Sequence, residues 1–267
     1  GFPPASSNLV LAMSSKLTAP RGTQDILPPQ SAQWYALESR IHALAMRFGY
    51  SEIRTPTFEA TELFVRGVGE TTDIVEKEMY TFVDKGDRSM TLRPEWTAPV
   101  MRAALEHNLF SQGPQRLYYI GPIYRYERPQ KGRYRQAHQF GVECTGYKGP
   151  EADLEVIALA WELVQSYGIS DAVLNVNSIG DDVCRPRYRE ALFEHFRPHL
   201  AELSADSQRR LERNPLRVLD SKDEKDRPFI QNAPTFESVL CDACREHFET
   251  LKAYLDETGI PYVVNSK

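Results

Sequence analysis

The sequence has 267 residues, a formal net charge of -5 and a pI near 5.8. Hydrophobic residues make up 41% of it and charged residues 26%, which is typical of a globular protein with a real core. The acidic balance excludes a generally basic surface, so any contact with RNA must be local. No stretch has the eighteen or so apolar residues that cross a bilayer, so we expect no membrane contact.

The four cysteines are too few and too scattered for a disulfide framework, and they favour a reducing, cytoplasmic compartment. Residues 1–19 are small, polar and proline-bearing, and their short apolar run at 9–13 has no basic leader. We interpret them as a disordered extension rather than a secretory signal.

The chain then alternates between helical and strand patterns. Apolar spacing predicts a helix over 31–48 that Gly49 ends, a strand over 51–56 and a helix from 59 to 65. Further helices are predicted at 98–107 and from 150 to 167, and a strand at 172–178. From residue 180 the chain becomes rich in both charges, with helices predicted at 188–203, 207–211 and 236–258 and a strand at 260–264.

A basic hairpin is predicted between Tyr124 and Glu143. Before Gln136 it holds one acid, Glu127, and five cations: Arg125, Arg128, Lys131, Arg133 and Arg135. Period-two alternation puts Arg125 and Glu127 on one face of the outgoing strand, and Ala137, Gln139, Gly141 and Glu143 on one face of the returning strand. Guanidinium groups match phosphate oxygens and carboxylates hold ammonium groups, so this surface suits a zwitterionic or cationic ligand beside a phosphate. The alternative is an ordinary solvated edge hairpin.

The run from Glu127 to Gln136 resembles motif 2 of the class II aminoacyl-tRNA synthetases, in the form found in the histidyl-tRNA synthetases. The segments 20–25, 73–82, 92–95 and 214–222 are similar to that family as well, and the predicted first helix, with its strand ending at Pro56, resembles motif 1. The resemblance covers Pro20 to Lys267.

The resemblance implies an α+β fold, with a class II antiparallel sheet flanked by helices and a helical insertion. It divides the chain into the extension 1–19, a catalytic core 20–179, an insertion 180–259 that leans on the tRNA acceptor arm, and a strand over 260–267 that returns to the core. The implied activity is ATP-dependent activation of L-histidine to histidyl-adenylate and transfer to the 3′ end of tRNA(His), with Mg²⁺ on the triphosphate. The implied assembly is a homodimer through motif 1.

The resemblance also assigns roles to single residues. Arg125 would be catalytic and hold the α-phosphate, Glu127 would contact the adenine end and Arg133 the outer phosphates. The histidine pocket would be lined by Glu95, Thr97, Gln139 and Glu143. The acceptor stem would meet Arg128, Lys131 and Arg135. Trp96 departs from the family pattern, where many relatives have a small residue, and we expect its indole to bear on the shape of the pocket.

No metal held by the protein is predicted. Cys241 and Cys244 form a CxxC with His247 three residues on, but no second pair exists, so an incidental helical pair is favoured. Neither a P-loop nor a Rossmann glycine motif is present, so phosphate binding falls to arginines and Mg²⁺.

The sequence stops at Lys267, where family members continue into an Arg-Gly-Leu-Asp-Tyr-Tyr segment, motif 3 and an anticodon-binding domain. We therefore expect these 267 residues alone to be an inactive, or nearly inactive, N-terminal portion of a ligase. Two alternatives stay open: the non-catalytic regulatory subunit of ATP phosphoribosyltransferase, which shares the fold, and a plain interaction module that dimerises through motif 1.

Overall fold

The computed structural model describes residues 17–68, 72 and 74–265. Residue contacts divide the chain into an N-terminal unit that ends at Tyr147 and a C-terminal unit that begins at Lys148. Most of the predicted extension lies outside the described residues. The predicted domain boundaries stay predictions. The division between the two units, at Tyr147 and Lys148, lies well before the predicted boundary at residue 180.

In its described residues, the N-terminal unit contains two three-stranded sheets and three α-helices. In the first sheet, β5 (Gln115–Tyr124) pairs antiparallel with β6 (Gln136–Thr145) over ten residue pairs, and β1 (Ser51–Glu52) joins β5 in parallel. The second sheet is antiparallel, with β4 (Ser89–Leu92) between β2 (Phe58–Ala60) and β3 (Tyr80–Val83). The elements are α1 (Gln30–Arg47), β1 (Ser51–Glu52), β2 (Phe58–Ala60), α2 (Thr61–Val68), a π-helix (Ile74–Glu78), β3 (Tyr80–Val83), β4 (Ser89–Leu92), α3 (Thr97–Glu106), a 3-10 turn (Leu109–Gln112), β5 (Gln115–Tyr124) and β6 (Gln136–Thr145).

Two boundaries in this unit differ from the sequence prediction. Residues 58–60 form β2 rather than the start of a helix, because they pair with β4 and Glu59 stands opposite Thr91. The predicted strand over 51–56 is a ladder only at 51–52, although the Ile53 N–H still donates to the Tyr118 carbonyl at 2.9 Å. Gly49 follows α1 with φ +78°, as a helix-ending glycine does, so that prediction is confirmed.

In its described residues, the C-terminal unit is mostly helical, and β7 (Leu174–Val176) pairs in parallel with β8 (Tyr262–Val264). The predicted strand at 260–264 thus pairs with the predicted strand at 172–178. The predicted helix over 236–258 is interrupted before Asp242 and continues as a long helix. The elements are α4 (Pro150–Ser166), β7 (Leu174–Val176), α5 (Cys184–Phe196), a 3-10 turn (Arg197–His199), α6 (Ala205–Arg213), α7 (Leu216–Leu219), α8 (Arg227–Gln231), a 3-10 turn (Phe236–Val239), α9 (Asp242–Thr258) and β8 (Tyr262–Val264).

Each unit has its own core. In the N-terminal unit, Trp96 and Val100 of the α3 region pack on Leu117, Tyr119 and Ile123 of β5. In the C-terminal unit, the helices from α5 onward share a cluster built around Tyr188, Leu192, Phe196, Leu211 and Phe236. Within the described ranges, no helix is both long and apolar enough to span a bilayer.

A buried carboxylate organises the middle of the C-terminal unit. Asp226 is fully buried and accepts hydrogen bonds from the Ser204 N–H (2.7 Å) and from the hydroxyls of Ser204 (2.7 Å), Ser207 (2.5 Å) and Ser221 (2.6 Å). Burial opposes ionisation, but these donors outweigh it and lower the pKa of Asp226. The ionised carboxylate thereby fixes the start of α6 against the segment before α8.

Replacing Asp226 with Asn should lower the free energy of unfolding by about 2–4 kcal/mol, because the amide nitrogen would face hydroxyl donors in a buried site. The lowered pKa means that the stabilisation is complete above the ordinary carboxyl pKa and is lost as the pH falls through the folded-state value. Urea unfolding followed by far-UV circular dichroism measures both effects. The matched control is Asp223→Asn at an exposed neighbour, which should change stability by less than about 0.5 kcal/mol. Equal effects of the two substitutions would contradict the assignment.

Candidate active site

The β5–β6 register fixes which side chains share a face. Residues opposite each other in an antiparallel pair point to the same side, so Gln139 lies beside Gly121, Gly141 beside Tyr119, and Glu143 beside Leu117. Leu117 and Tyr119 belong to the core cluster under α3. Gln139 and Glu143 therefore face the start of α3, and the predicted face of the returning strand is confirmed.

Gly141 allows this face to form. A Cβ at position 141 would collide with the phenol ring of Tyr119. Because glycine stands there, the ring lies across the strand and its hydroxyl donates to Glu143 Oε1 at 3.4 Å. Sequence reasoning did not single out Tyr119, although alternation along β5 places it on the same face as Arg125.

Two carboxylates meet at the N-terminus of α3, and Thr97 joins them. Glu95 accepts the backbone N–H groups of Thr97 (2.6 Å) and Ala98 (2.9 Å), so it caps the helix. The Thr97 hydroxyl donates to Glu143 Oε1 at 2.8 Å. Three of the four predicted histidine-pocket residues thus form one connected group.

The environment of this group shifts the pKa of Glu143 upward. Burial raises the pKa of Glu143 against the lowering effect of the Thr97 and Tyr119 hydroxyls, and the negative charge of Glu95 raises it further. Burial, with the charge of Glu143, raises the pKa of Tyr119 to about 12. A bound cation would oppose all of these effects, so the group suits a positively charged ligand.

Gln139 offers an unused acceptor on the same face. Its Oε1 atom is buried and has no hydrogen-bond partner among the described residues. Leaving a buried polar atom unpaired costs about 1–3 kcal/mol, so a ligand N–H placed there would recover that energy.

Arg125 is held at the same helix start from the other strand. Its N–H donates to the Arg135 carbonyl at 2.9 Å, which extends the ladder beyond β5, and its Nε donates to the Pro94 carbonyl at 2.8 Å. Among the described residues it has no carboxylate partner. An oriented guanidinium with its terminal nitrogens available is suited to an anion.

The loop between β5 and β6 closes with a tight turn. Gln130 and Arg133 bridge across this turn, whose tip is Lys131 and Gly132. Arg133 Nε also pairs with Glu127 Oε2 at 2.9 Å. The residues predicted for the adenine end and for the outer phosphates therefore touch each other.

The three predicted RNA-contacting cations differ in their surroundings. Arg128 and Lys131 are exposed. Arg135 instead packs its guanidinium 3.9 Å from the Tyr126 ring centre and donates to the Glu127 carbonyl at 3.3 Å. Its backbone N–H donates to the Gly22 carbonyl at 2.7 Å, so it also ties the segment 20–25 to the hairpin.

Trp96 lies in the core rather than in open space beside the carboxylates. The residue is 3% exposed, and its indole stacks on Tyr119 with ring centres 5.0 Å apart and has the Arg93 guanidinium 3.5 Å above it. A Cβ at Gly121 would come within 2.9 Å of the indole. Trp96 therefore supports the Tyr119 ring that reaches Glu143, and its effect on the pocket is indirect.

Comparisons with known proteins identify the family of the chain. The family model described as Histidyl-tRNA synthetase matches residues 22–224. The histidine–tRNA ligase of Desulforamulus reducens is 53% identical over 94% of this chain and 60% of its own length, and that of Moorella thermoacetica is 52% identical over 92% and 58%.

Solved structures give the same picture. The apo histidyl-tRNA synthetase of S. aureus superposes with a TM-score of 0.75 at 41% identity, over 94% of this chain and 57% of that one. A Bacillus halodurans structure titled as an ATP phosphoribosyltransferase regulatory subunit/histidyl-tRNA synthetase gives 0.63 at 23% identity, over 92% of this chain and 66% of that one, which shows a shared fold alone. The chain spans about 60% of the length of the curated relatives it matches. On these matches, the chain belongs to the histidyl-tRNA synthetase family.

Proposed function

We propose that this chain supplies the histidine-binding and α-phosphate-binding part of a histidine–tRNA ligase. The activity would be ATP-dependent formation of histidyl-adenylate, followed by transfer of histidine to the 3′ end of tRNA(His) in the cytoplasm. The observation that carries the proposal is the Thr97 link between Glu95 and Glu143, because it holds two carboxylates together at one helix start.

Histidine fits this group through its positive end. The α-ammonium group would lie between Glu95 and Glu143, where each new N–H···O⁻ contact also relieves the repulsion between the two carboxylates. Gln139 would accept a further N–H from the amino acid through its unpaired Oε1. The Tyr119 ring would form part of the wall.

ATP fits through Arg125. A histidine carboxylate that attacks the α-phosphate brings two anions together, so the reaction needs a fixed cation at the phosphorus. The Pro94 carbonyl orients the Arg125 guanidinium for that task. Glu127 would contact the adenine end and Arg133 the outer phosphates. Glu127 already pairs with Arg133 and is therefore not free to hold a metal ion by itself. Mg²⁺ would arrive bound to the triphosphate as part of the substrate.

The remaining partners are proposed from charge and family. Arg128 and Lys131 are exposed at the loop and would contact acceptor-stem phosphates, which need charge but little sequence reading. Arg135 would act there mainly by fixing the loop. A homodimer through α1 and the strand after it is proposed on the resemblance to motif 1. The regulatory-subunit alternative has only the shared fold in its favour.

Replacing Glu143 with Gln should raise the KM for histidine about 10- to 100-fold, because one charge-assisted contact of about 1.5–3 kcal/mol is lost. Histidine-dependent ATP–pyrophosphate exchange by the full-length gene product measures this. The control is Glu62→Gln, a carboxylate that is 68% exposed in the same unit, which should leave the KM unchanged. An unchanged KM in the Glu143 variant would remove the ammonium site from the proposal.

The raised pKa of Glu143 gives the binding a defined pH dependence. As the pH falls, Glu143 takes up a proton at a higher pH than an ordinary glutamate does. The KM for histidine should therefore begin to rise at a pH above the ordinary glutamate pKa. Thr97→Val removes a hydroxyl that lowers this pKa and should move that rise to still higher pH. Thr97→Ser keeps the hydroxyl and should keep the wild-type profile. Because the ligand titrates alike in all three assays, coincident Val and Ser profiles would refute the Thr97 link.

Arg125 and Arg128 should separate the two chemical steps. Arg125→Lys loses the planar, oriented guanidinium and should lower the kcat of pyrophosphate exchange about 100- to 1000-fold. Arg128→Ala should leave exchange intact and weaken tRNA(His) aminoacylation in a salt-dependent way. A loss of exchange in the Arg128 variant would contradict this division.

A further inference from the structure

Four side chains of the C-terminal unit direct ligand atoms at one another: Asp181, Cys184, Cys241 and Cys244. One carboxylate oxygen and three sulfurs all lie within 4.8 Å of each other. In a tetrahedral zinc site, Zn–S bonds of about 2.3 Å place sulfurs about 3.8 Å apart. The Asp181 Oδ2 atom is already 3.7 Å from Cys241 Sγ. Small side-chain rotations would thus complete a tetrahedron.

Two helix starts present these atoms. Cys184 is the first residue of α5, Cys241 is the N-cap of α9, and Cys244 follows in the first turn of α9. Each helix N-terminus carries a partial positive charge, which would stabilise the negative charge of thiolates bound to a metal. Asp181 caps α5 with its Oδ1 atom, which accepts the N–H groups of Val183 (3.0 Å) and Cys184 (2.8 Å). Its Oδ2 atom is left to face the sulfurs.

The backbone around the cluster is arranged in the way that a thiolate site requires. The Cys241 N–H donates to Cys184 Sγ at 3.1 Å, and main-chain donors to sulfur stabilise its negative charge. Gly180 has φ +57°, and a Cβ there would collide with the Cys184 side chain. Glycine therefore lets the chain turn closely past Cys184 and bring Asp181 to the cluster.

The spacing Asp-x2-Cys with Cys-x2-Cys matches the ligand spacing of structural zinc sites, with a carboxylate as one ligand. His247 is not needed, since its Nε2 lies 2.6 Å from the Asp153 carboxylate. Cys184 is fully buried and the other three ligands are partly buried. Four protein ligands leave no open position, so the chemistry is that of a structural site rather than a catalytic one.

We propose that Asp181, Cys184, Cys241 and Cys244 bind one Zn²⁺ ion that ties the start of α5 to the start of α9. These two points are 57 residues apart in the chain and enclose the helices that share the core around Tyr188 and Phe236. The ion binds the folded arrangement of these ligands and not the unfolded chain, so its binding free energy stabilises this helical module. Binding displaces the thiol protons, and zinc affinity falls as the pH is lowered.

The experiment is to load the reduced chain with Zn²⁺, dialyse it against metal-free buffer and measure retained zinc by mass spectrometry. We expect about one ion per chain and a lower thermal midpoint for the helical module after chelation. Replacement by Co²⁺ should give the absorption of tetrahedral cobalt with thiolate charge-transfer bands.

Variants make the assignment specific. Cys241→Ser and Cys244→Ser should each weaken zinc binding about 100-fold or more, whereas Asp181→Cys should tighten it because a fourth thiolate replaces a carboxylate. The control is Cys144→Ser in the other unit, which should bind zinc like the parent chain. The Asp181→Cys gain guards against variants that lose zinc only because they misfold.

Three results would overturn the proposal. Zinc retention that is equal in the parent and both serine variants would place the ion elsewhere. Reactivity of all four thiols toward an alkylating reagent that is the same with and without Zn²⁺ would show that none of them binds the ion. Failure of the reduced chain to retain Zn²⁺, with a disulfide forming among these cysteines in air, would assign the cluster to thiol oxidation instead.

Discussion

The ten-pair register between β5 and β6 is the constraint on which the candidate active site depends. Side chains alternate along a strand, so a slip of one residue would send Gln139 and Glu143 to the opposite face. The register is held where Tyr119 lies across Gly141, since no other residue leaves room for the ring. The Thr97 hydroxyl then joins β6 to the start of α3. Strand pairing, helix capping and ligand chemistry thus meet in a few residues.

The carboxylates of Asp226 and Glu143 differ in the number of hydrogen-bond donors that the fold directs at them. That difference separates a structural role from a binding role. Asp226 receives four donors, which lower its pKa and leave nothing for a ligand to add. Glu143 receives two hydroxyl donors, one of them at 3.4 Å, and stands near the charge of Glu95. Its pKa is raised rather than lowered. The first carboxylate is satisfied by the fold, whereas the second would gain from the cationic ligand that we propose for it.

Alternation along the chain was enough to predict the hairpin, the face that carries Gln139 and Glu143, and the glycine that ends α1. It could not predict β2, because residues 58–60 are extended only through pairing with β4, far along the sequence. It also could not predict that Arg135 would pack on Tyr126 or that Arg133 would pair with Glu127, since loop side chains choose partners by three-dimensional proximity. Sequence periodicity predicts which face of a strand or helix a residue lies on. It does not predict which polar side chains are paired with each other.

The cluster of Asp181, Cys184, Cys241 and Cys244 also could not be predicted from sequence spacing. A local CxxC gives half of a metal site, and a search for a second cysteine pair finds none. The second half is Asp181 with Cys184, where a carboxylate occupies the position at which a cysteine would have made the pattern obvious. One oxygen of Asp181 caps α5 and the other faces the sulfurs, so the residue has a local reason and a long-range reason to be there. Because the ligands are brought together by packing rather than by proximity in sequence, the fold must form before the site exists, and an ion bound there would in turn hold the fold closed.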